Sequence, residues 1–220
     1  MTLPQEVRVP TIHGVMTLIC FECGDSSKCM PFESDPLNPE LKRLENPDIV
    51  AIFGKPYTGN SASPADPQNN CQISNLDASW EAQNIVFTPR IPILNNSQIR
   101  CHRMVAGLVY DIFSQIAEAS TGCFEYRLSN SGAYYPRCIK HKDGTCGTSL
   151  SKHAWGVAFD LNDATNKQGS IGDMPAYIIR TFEENGFLWG GRWAGDTRDP
   201  MHFEWGLKAT PRPGVRGWNP

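Results

Sequence analysis

From about residue 97 the apolar positions fall on helical spacing. Ile99, Met104, Val105, Leu108, Val109, Ile112, Phe113 and Ile116 recur largely at steps of three and four, which predicts an amphipathic helix from about Asn96 to Ser120 whose stripe is core. Gly122 suits its end. A second helix is predicted from 173 to 185, with Asp173 as cap and Pro175 in the first turn, stopping at Asn185 and Gly186. Other segments alternate with the period of a strand. Val157–Leu161 places Val157, Phe159 and Leu161 on one face and Ala158 and Asp160 on the other, while Met201–Trp205 sends His202 and Glu204 to the same side. Phe124–Ser129 is a candidate strand, followed by a turn-rich Asn130–Ala133. Val15–Cys20 reads as a buried strand within a stretch of short strands over residues 1–30. Residues 31–97 are rich in Pro, Asn, Ser and Asp with few periodic runs, and predict irregular, loop-rich structure with a possible strand at Asn84–Thr88. Thr210–Pro220 reads as an extended tail. The whole predicts an α+β fold: a small antiparallel sheet flanked by helices over residues 98–220, and a loop-rich N-terminal extension over 1–97 packed on it.

Composition narrows the class. A chain of 220 residues with 40% apolar and 20% charged side chains is ordinary globular material, enough for one domain with an extension. The net charge of −3 lacks the basic excess of a nucleic-acid binder. No run reaches the ~18–20 apolar residues that cross a bilayer, so no membrane partner is expected. Met1–Glu6 has no basic segment leading into an apolar one, so synthesis in the cytoplasm without a secretory signal is expected. Eight cysteines are many for a reduced compartment. Cys138 and Cys146 flank the turn signal around Asp143 and Gly144 and could close a small loop. Cys20, Cys23 and Cys29 could belong to a structural metal knuckle, although a fourth ligand is not evident; disulfides or buried thiols are the other reading.

Candidate chemistry concentrates in two segments. The first carries Ser151, His153, Gly156, Ala158 and Asp160 as S-x-H-x-x-G-x-A-x-D; the second carries Asp199, His202 and Glu204 as D-x-x-H-x-E. Catalytic zinc usually takes three protein ligands and keeps one position open, and His153, Asp160 and His202 fit that count. Gly156 lets the chain fold closely between ligands, and Ala158 leaves room beside Asp160. Zinc lowers the pKa of a bound water towards ~7, after which a carboxylate has to carry the proton to the leaving amine. Asp199 is the choice for that role, and Glu204 is read as the group that holds His202. His13, His102 and His141 have no such companions and are read as structural.

These two segments resemble the M15 (LAS-type) zinc peptidases, which cleave peptide bonds in bacterial cell-wall stem peptides. The resemblance covers roughly residues 98–207. It implies zinc on His153, Asp160 and His202, proton transfer by Asp199, and a hydrogen-bonding role for Ser151. It also implies an arginine upstream of the first histidine that faces the oxyanion or a substrate carboxylate. The run ending at Arg137 matches that segment, with Arg127 as the fallback. Trp155, Trp189 and Trp193 read as core residues or, as the second reading, as residues of the cleft. Aspartate at position 199, where D-Ala-D-Ala-cleaving relatives commonly carry glutamate, is similar to the phage-type L-alanyl-D-glutamate endopeptidases. The expectation is therefore a monomeric, endolysin-type hydrolase of peptidoglycan stem peptides that reaches the wall after holin-assisted release. The alternatives are a D-alanyl-D-alanine carboxypeptidase or dipeptidase, and a non-catalytic zinc-bearing binding domain.

Overall fold

The computed structural model describes residues 5–11, 14–20, 29–31, 41–63, 67–119, 126–141 and 143–207. Strands β1 (Gln5–Thr11), β2 (Gly14–Cys20) and β3 (Cys29–Pro31) form an antiparallel sheet in which Cys20 stands opposite Cys29. Cys23, and with it the alternative of a metal knuckle, lies outside the described residues, as does the tail from 210.

The stretch read as loop-rich contains two short helices. Helix α1 (Asn46–Phe53) starts at a reciprocal cap in which the Glu45 and Asp48 side chains each accept from the other end's backbone N–H. Helix α2 (Ala78–Asn84) starts where the Asp77 carboxylate accepts from the N–H groups of Ser79 and Trp80. At eight and seven residues they are too short for a periodic apolar stripe, and their caps are the stronger signal. Trp80 Nε1–H donates to Phe53 O at 3.1 Å and joins the two.

Strand β4 (Ile85–Phe87) fulfils the expected strand and pairs antiparallel with β5 (Arg100–His102). That pairing delays the long helix. Asn95 and Asn96 take left-handed φ values of 54° and 59°, a turn that asparagine tolerates, and residues 100–102 are spent on β5. Helix α3 therefore runs Arg103–Ala119 instead of starting near Asn96. Its stripe is core as expected, with Val105, Val109, Ile112, Phe113 and Ile116 fully buried. Ser120 and Gly122 lie outside the described residues.

Strand β6 (Asn130–Gly132) occupies the segment read as turn-rich, while residues 126–129 of the expected strand are irregular. Strands β7 (Cys138–Lys140) and β8 (Cys146–Leu150) form a hairpin whose register sets Cys138 opposite Leu150 and Cys146 opposite Lys140. The expected Cys138–Cys146 bridge is thus replaced by Cys71–Cys146, with 5.4 Å between Cα atoms. Cys101 and Cys138 are buried free thiols, and burial pushes the Cys101 thiol up to about 12.

The sheet that matters for function follows. Strand β9 (Ala158–Leu161), helix α4 (Ala176–Glu184), β10 (Phe187–Trp189) and β11 (His202–Trp205) complete the chain, and the antiparallel order is β10-β11-β9-β6. Helix α4 starts later than expected, because Pro175 at ψ 142° occupies the cap position. The Asp173 carboxylate instead accepts from Tyr126 Oη at 2.6 Å, Asn166 Nδ2 at 2.8 Å and Thr165 Oγ1 at 2.9 Å, tying together the loops around the sheet. Phe182 of α4 stacks on Phe203 of β11 at 4.3 Å and meets Phe113 of α3 edge-on at 5.8 Å. This aromatic core backs the sheet, leaving the opposite face of β9 and β11 for polar groups. The architecture is the expected small antiparallel sheet with flanking helices. Among the described residues no helix is long and apolar enough to cross a membrane.

Candidate metal centre

Three side chains converge because two strands and a tight turn meet. Antiparallel register sets His202 of β11 opposite Asp160 of β9. His153 arrives from a short 3-10 turn, Lys152–Trp155, whose start is capped by Ser151 Oγ accepting the His153 N–H at 3.4 Å. Gly156 ends that turn at φ +67°, where a Cβ atom would lie 2.7 Å from the backbone nitrogen of His102. Both the left-handed backbone and the close approach exclude a side chain. Ala158, the first residue of β9, stands opposite Glu204 in the same register and is fully buried.

The facing atoms are His153 Nε2, Asp160 Oδ1/Oδ2 and His202 Nδ1. His153 Nε2 is 3.2 Å from His202 Nδ1 and 3.3 Å from Asp160 Oδ2; His202 Nδ1 is 2.9 Å from Asp160 Oδ1. The far ring nitrogens are each committed elsewhere. His153 Nδ1–H donates to Ala133 O at 2.7 Å, and His202 Nε2–H donates to Glu204 Oε2 at 3.2 Å. Those outer bonds fix each tautomer so that a lone pair points inward, the arrangement of histidines that hold metal. Tetrahedral zinc with bonds of about 2.0–2.1 Å spaces its ligand atoms about 3.3 Å apart. Two imidazoles and a carboxylate at 2.9–3.3 Å fit such an ion, and among the described residues this trio is the group able to hold a metal.

Charge in the metal-free cluster follows from burial and neighbours. Burial opposes ionisation of Asp160, yet the two histidines hold its carboxyl well below the usual range. Burial likewise opposes a charged His202, but Asp160 and Glu204 on either side push it up to about 10. Glu204 is lowered against burial by His202, Arg43 and Lys152. Asp199 is raised, first by burial and then by Asp160, with His202, His153 and Arg137 opposing. Its Oδ1 is buried with no hydrogen-bond partner. Gly190 makes room for it, since a Cβ atom there would lie 2.5 Å from Asp199 O and 3.3 Å from His202 Cβ.

A cleft of about 400 Å³ opens over the trio and is lined by Ser151, Asp199, Glu204, Arg137 and Trp193 among others. Arg137 is half-buried and held by its backbone. Segment 71–73 pairs with 136–138 through Ile73 N–H to Pro136 O and Cys138 N–H to Cys71 O, both 2.9 Å. Arg127 is exposed and off the cleft, its carbonyl accepting from Asn162 Nδ2. Trp155, grouped with the cleft by sequence, is fully buried, and its Nε1–H donates to Gly54 O at 2.8 Å. Trp189 is half-buried and donates to Pro200 O. His102 is buried between Phe53 and Trp80, away from the trio. Sequence reasoning missed Arg43, Asn46 and Lys152, which also line the cleft. Lys152 had a signal, since it lies between two motif residues; Arg43 and Asn46 are over a hundred positions away in sequence and had none.

Residues 145–205 match the M15 peptidase family model described as D-alanyl-D-alanine carboxypeptidase. The matched span includes all three candidate ligands, Asp199 and Glu204, and supports an M15 family peptidase. No curated protein and no solved structure matches the chain.

Proposed function

We propose that the chain is a zinc peptidase that hydrolyses a peptide bond in peptidoglycan stem peptides, of the L-alanyl-D-glutamate endopeptidase type. The observation that carries this reading is the trio of inward-facing ligand atoms with the Asp199 carboxylate in the same cleft. A zinc ion held by His153, Asp160 and His202 supplies Lewis-acid polarisation and a nucleophilic water at neutral pH.

The protein's own groups divide the remaining work. Asp199 accepts a proton from the attacking water as its oxygen bonds to the carbonyl carbon, and returns that proton to the leaving nitrogen as the C–N bond breaks. One water is consumed, giving a new carboxyl and a new amine. In the metal-free centre burial raises the proton affinity of Asp199, the direction that suits a group that must both take and give a proton. Arg137 offers its positive charge to the developing oxyanion. Glu204 keeps His202 in its tautomer. Aspartate at 199 favours the endopeptidase branch, whereas the description of the matching family model favours D-alanyl-D-alanine carboxypeptidase.

The two separate in one experiment. Zinc-loaded protein is incubated with purified peptidoglycan of several chemotypes, and new termini are identified by mass spectrometry. New alanine carboxyl ends and glutamate amino ends are expected. Release of terminal D-alanine alone would establish the carboxypeptidase, and intact walls throughout would refute the peptidase.

A further inference from the structure

The cleft has a wall that lies outside the family-matched segment. Residues 41–46 run along it and are pinned on both sides of Arg43. Lys42 N–H donates to Gly206 O at 3.0 Å, Leu44 is buried, and Asn46 Oδ1 accepts from Lys152 Nζ at 3.0 Å. Between these anchors the Arg43 guanidinium lies over Trp193, 4.3 Å from the ring centroid, and its Nε stands 3.6 Å from Glu204 Oε1. That separation is an attraction between charges and exceeds hydrogen-bond length. Among the described residues no hydrogen bond holds the guanidinium, and the side chain is 54% exposed at the cleft.

Neutralising Glu204 does not require this arrangement. Lys152 already acts on that carboxylate, and a plain point charge would serve there as well. An arginine held over an indole and 54% exposed at the cleft is instead placed to grip a planar anion by two parallel hydrogen bonds. Two arginines, Arg43 and Arg137, line the cleft. Arg137 acts on Asp199, Arg43 on Glu204. A peptide crossing the metal centre would meet both.

We propose that Arg43 is a substrate-binding residue that takes a free carboxylate of the peptide on the Glu204–Trp193 side of the metal centre, making the protein selective for acidic peptides over their amidated counterparts. The proposal rests on the peptidase reading and names its substrate class: a stem peptide whose γ-linked glutamate keeps its α-carboxylate free.

The test uses two synthetic stem peptides, identical except that this carboxylate is free in one and amidated in the other. Binding by calorimetry and hydrolysis are measured with the zinc-loaded full chain, with Arg43→Ala and with Arg43→Lys. Wild type is expected to bind the acid about 10-fold or more tighter than the amide, as befits a charged bidentate contact. Arg43→Ala should bring the acid to the level of the amide, mainly through KM, and Arg43→Lys should recover part of the difference. Equal weakening of both peptides in Arg43→Ala would show a role exerted through Glu204 and overturn the proposal. Wild type that cleaves acid and amide alike overturns the Arg43 assignment and leaves the peptidase reading standing. Wild type that prefers the acid through Arg43 but cleaves neither overturns the peptidase reading and leaves the carboxylate subsite standing.

Discussion

Replacing Cys71 and Cys146 together by serine removes a cross-link between residues 75 apart in sequence. In the chain-entropy treatment, closing a loop of that length stabilises the fold by about 4.5 kcal/mol at 25 °C, by restricting the unfolded chain. Typical domains have only about 5–15 kcal/mol in total. For a chain of this size the loss corresponds to a fall in Tm of roughly 10–18 °C. Urea unfolding of the double variant against wild type, both metal-free, measures it, and reductant should lower the stability of wild type by at least this amount. The bond also sits where Cys71 O accepts the Cys138 N–H and Cys146 opens β8. Activity should therefore fall at temperatures where the variant is still folded, because the backbone that carries Arg137 loses its brace. Cys138→Ser, altering a buried thiol outside the bridge, serves as the control and should leave the reductant response intact. A loss below about 1 kcal/mol in the double variant would refute the loop-closure argument.

The remaining predictions concern the centre and its protonation. Asp199→Ala should lower wall lysis by roughly 10²–10⁴-fold, the usual worth of a positioned acid–base group, with zinc content unchanged by atomic absorption; unaltered lysis would remove Asp199 from the mechanism. Glu204→Gln should weaken zinc binding by about 10–100-fold in chelator competition, and an unchanged affinity would show that its bond to His202 is dispensable. Because the metal-free His202 holds its proton up to about 10, zinc binding near neutral pH should release about one proton from this residue, seen by calorimetry in buffers of different ionisation enthalpy. The same raised value stabilises the metal-free fold fully below the ordinary histidine pKa, and that contribution is lost as pH rises through about 10. His102 has the opposite sign. Burial lowers it from 6.5 to about 4, so stability is intact above the higher value and falls by roughly 3 kcal/mol as pH drops through the window; a urea midpoint flat across that range would contradict it.

What the sequence made legible is what short-range rules govern. The stripe through Val105, Val109, Ile112 and Phe113 is periodic over a whole helix, and the alternation around Asp160 and His202 is periodic over whole strands. Both survive in the structure, because register then brings the two ligands face to face. Helix starts were less legible. Asn96 and Asp173 looked like boundaries, but pairing of β4 with β5 and the geometry of Pro175 moved the real ones. The strand at Asn130–Gly132 has the composition of a turn and exists because β9 lies beside it. Cysteine pairing depends on which chain segments meet, and Cys71 is brought to Cys146 by the pairing of 71–73 with 136–138. Arg43 was invisible for the same reason: nothing in its neighbours marks a residue whose partners are Trp193 and Glu204.

The hydrogen bond from the Trp155 indole to Gly54 O bears on how this chain can be cut and recombined. Sequence pattern alone invites an excision at about residue 98, fusing the remainder to some other module. That cut would strand a fully buried indole N–H without its acceptor, at a cost of about 1–3 kcal/mol. It would also remove Asn46 from Lys152 at the cleft floor. A transplantable unit therefore has to begin before Leu41, and chimeras built from shorter pieces should express as insoluble or metal-poor protein.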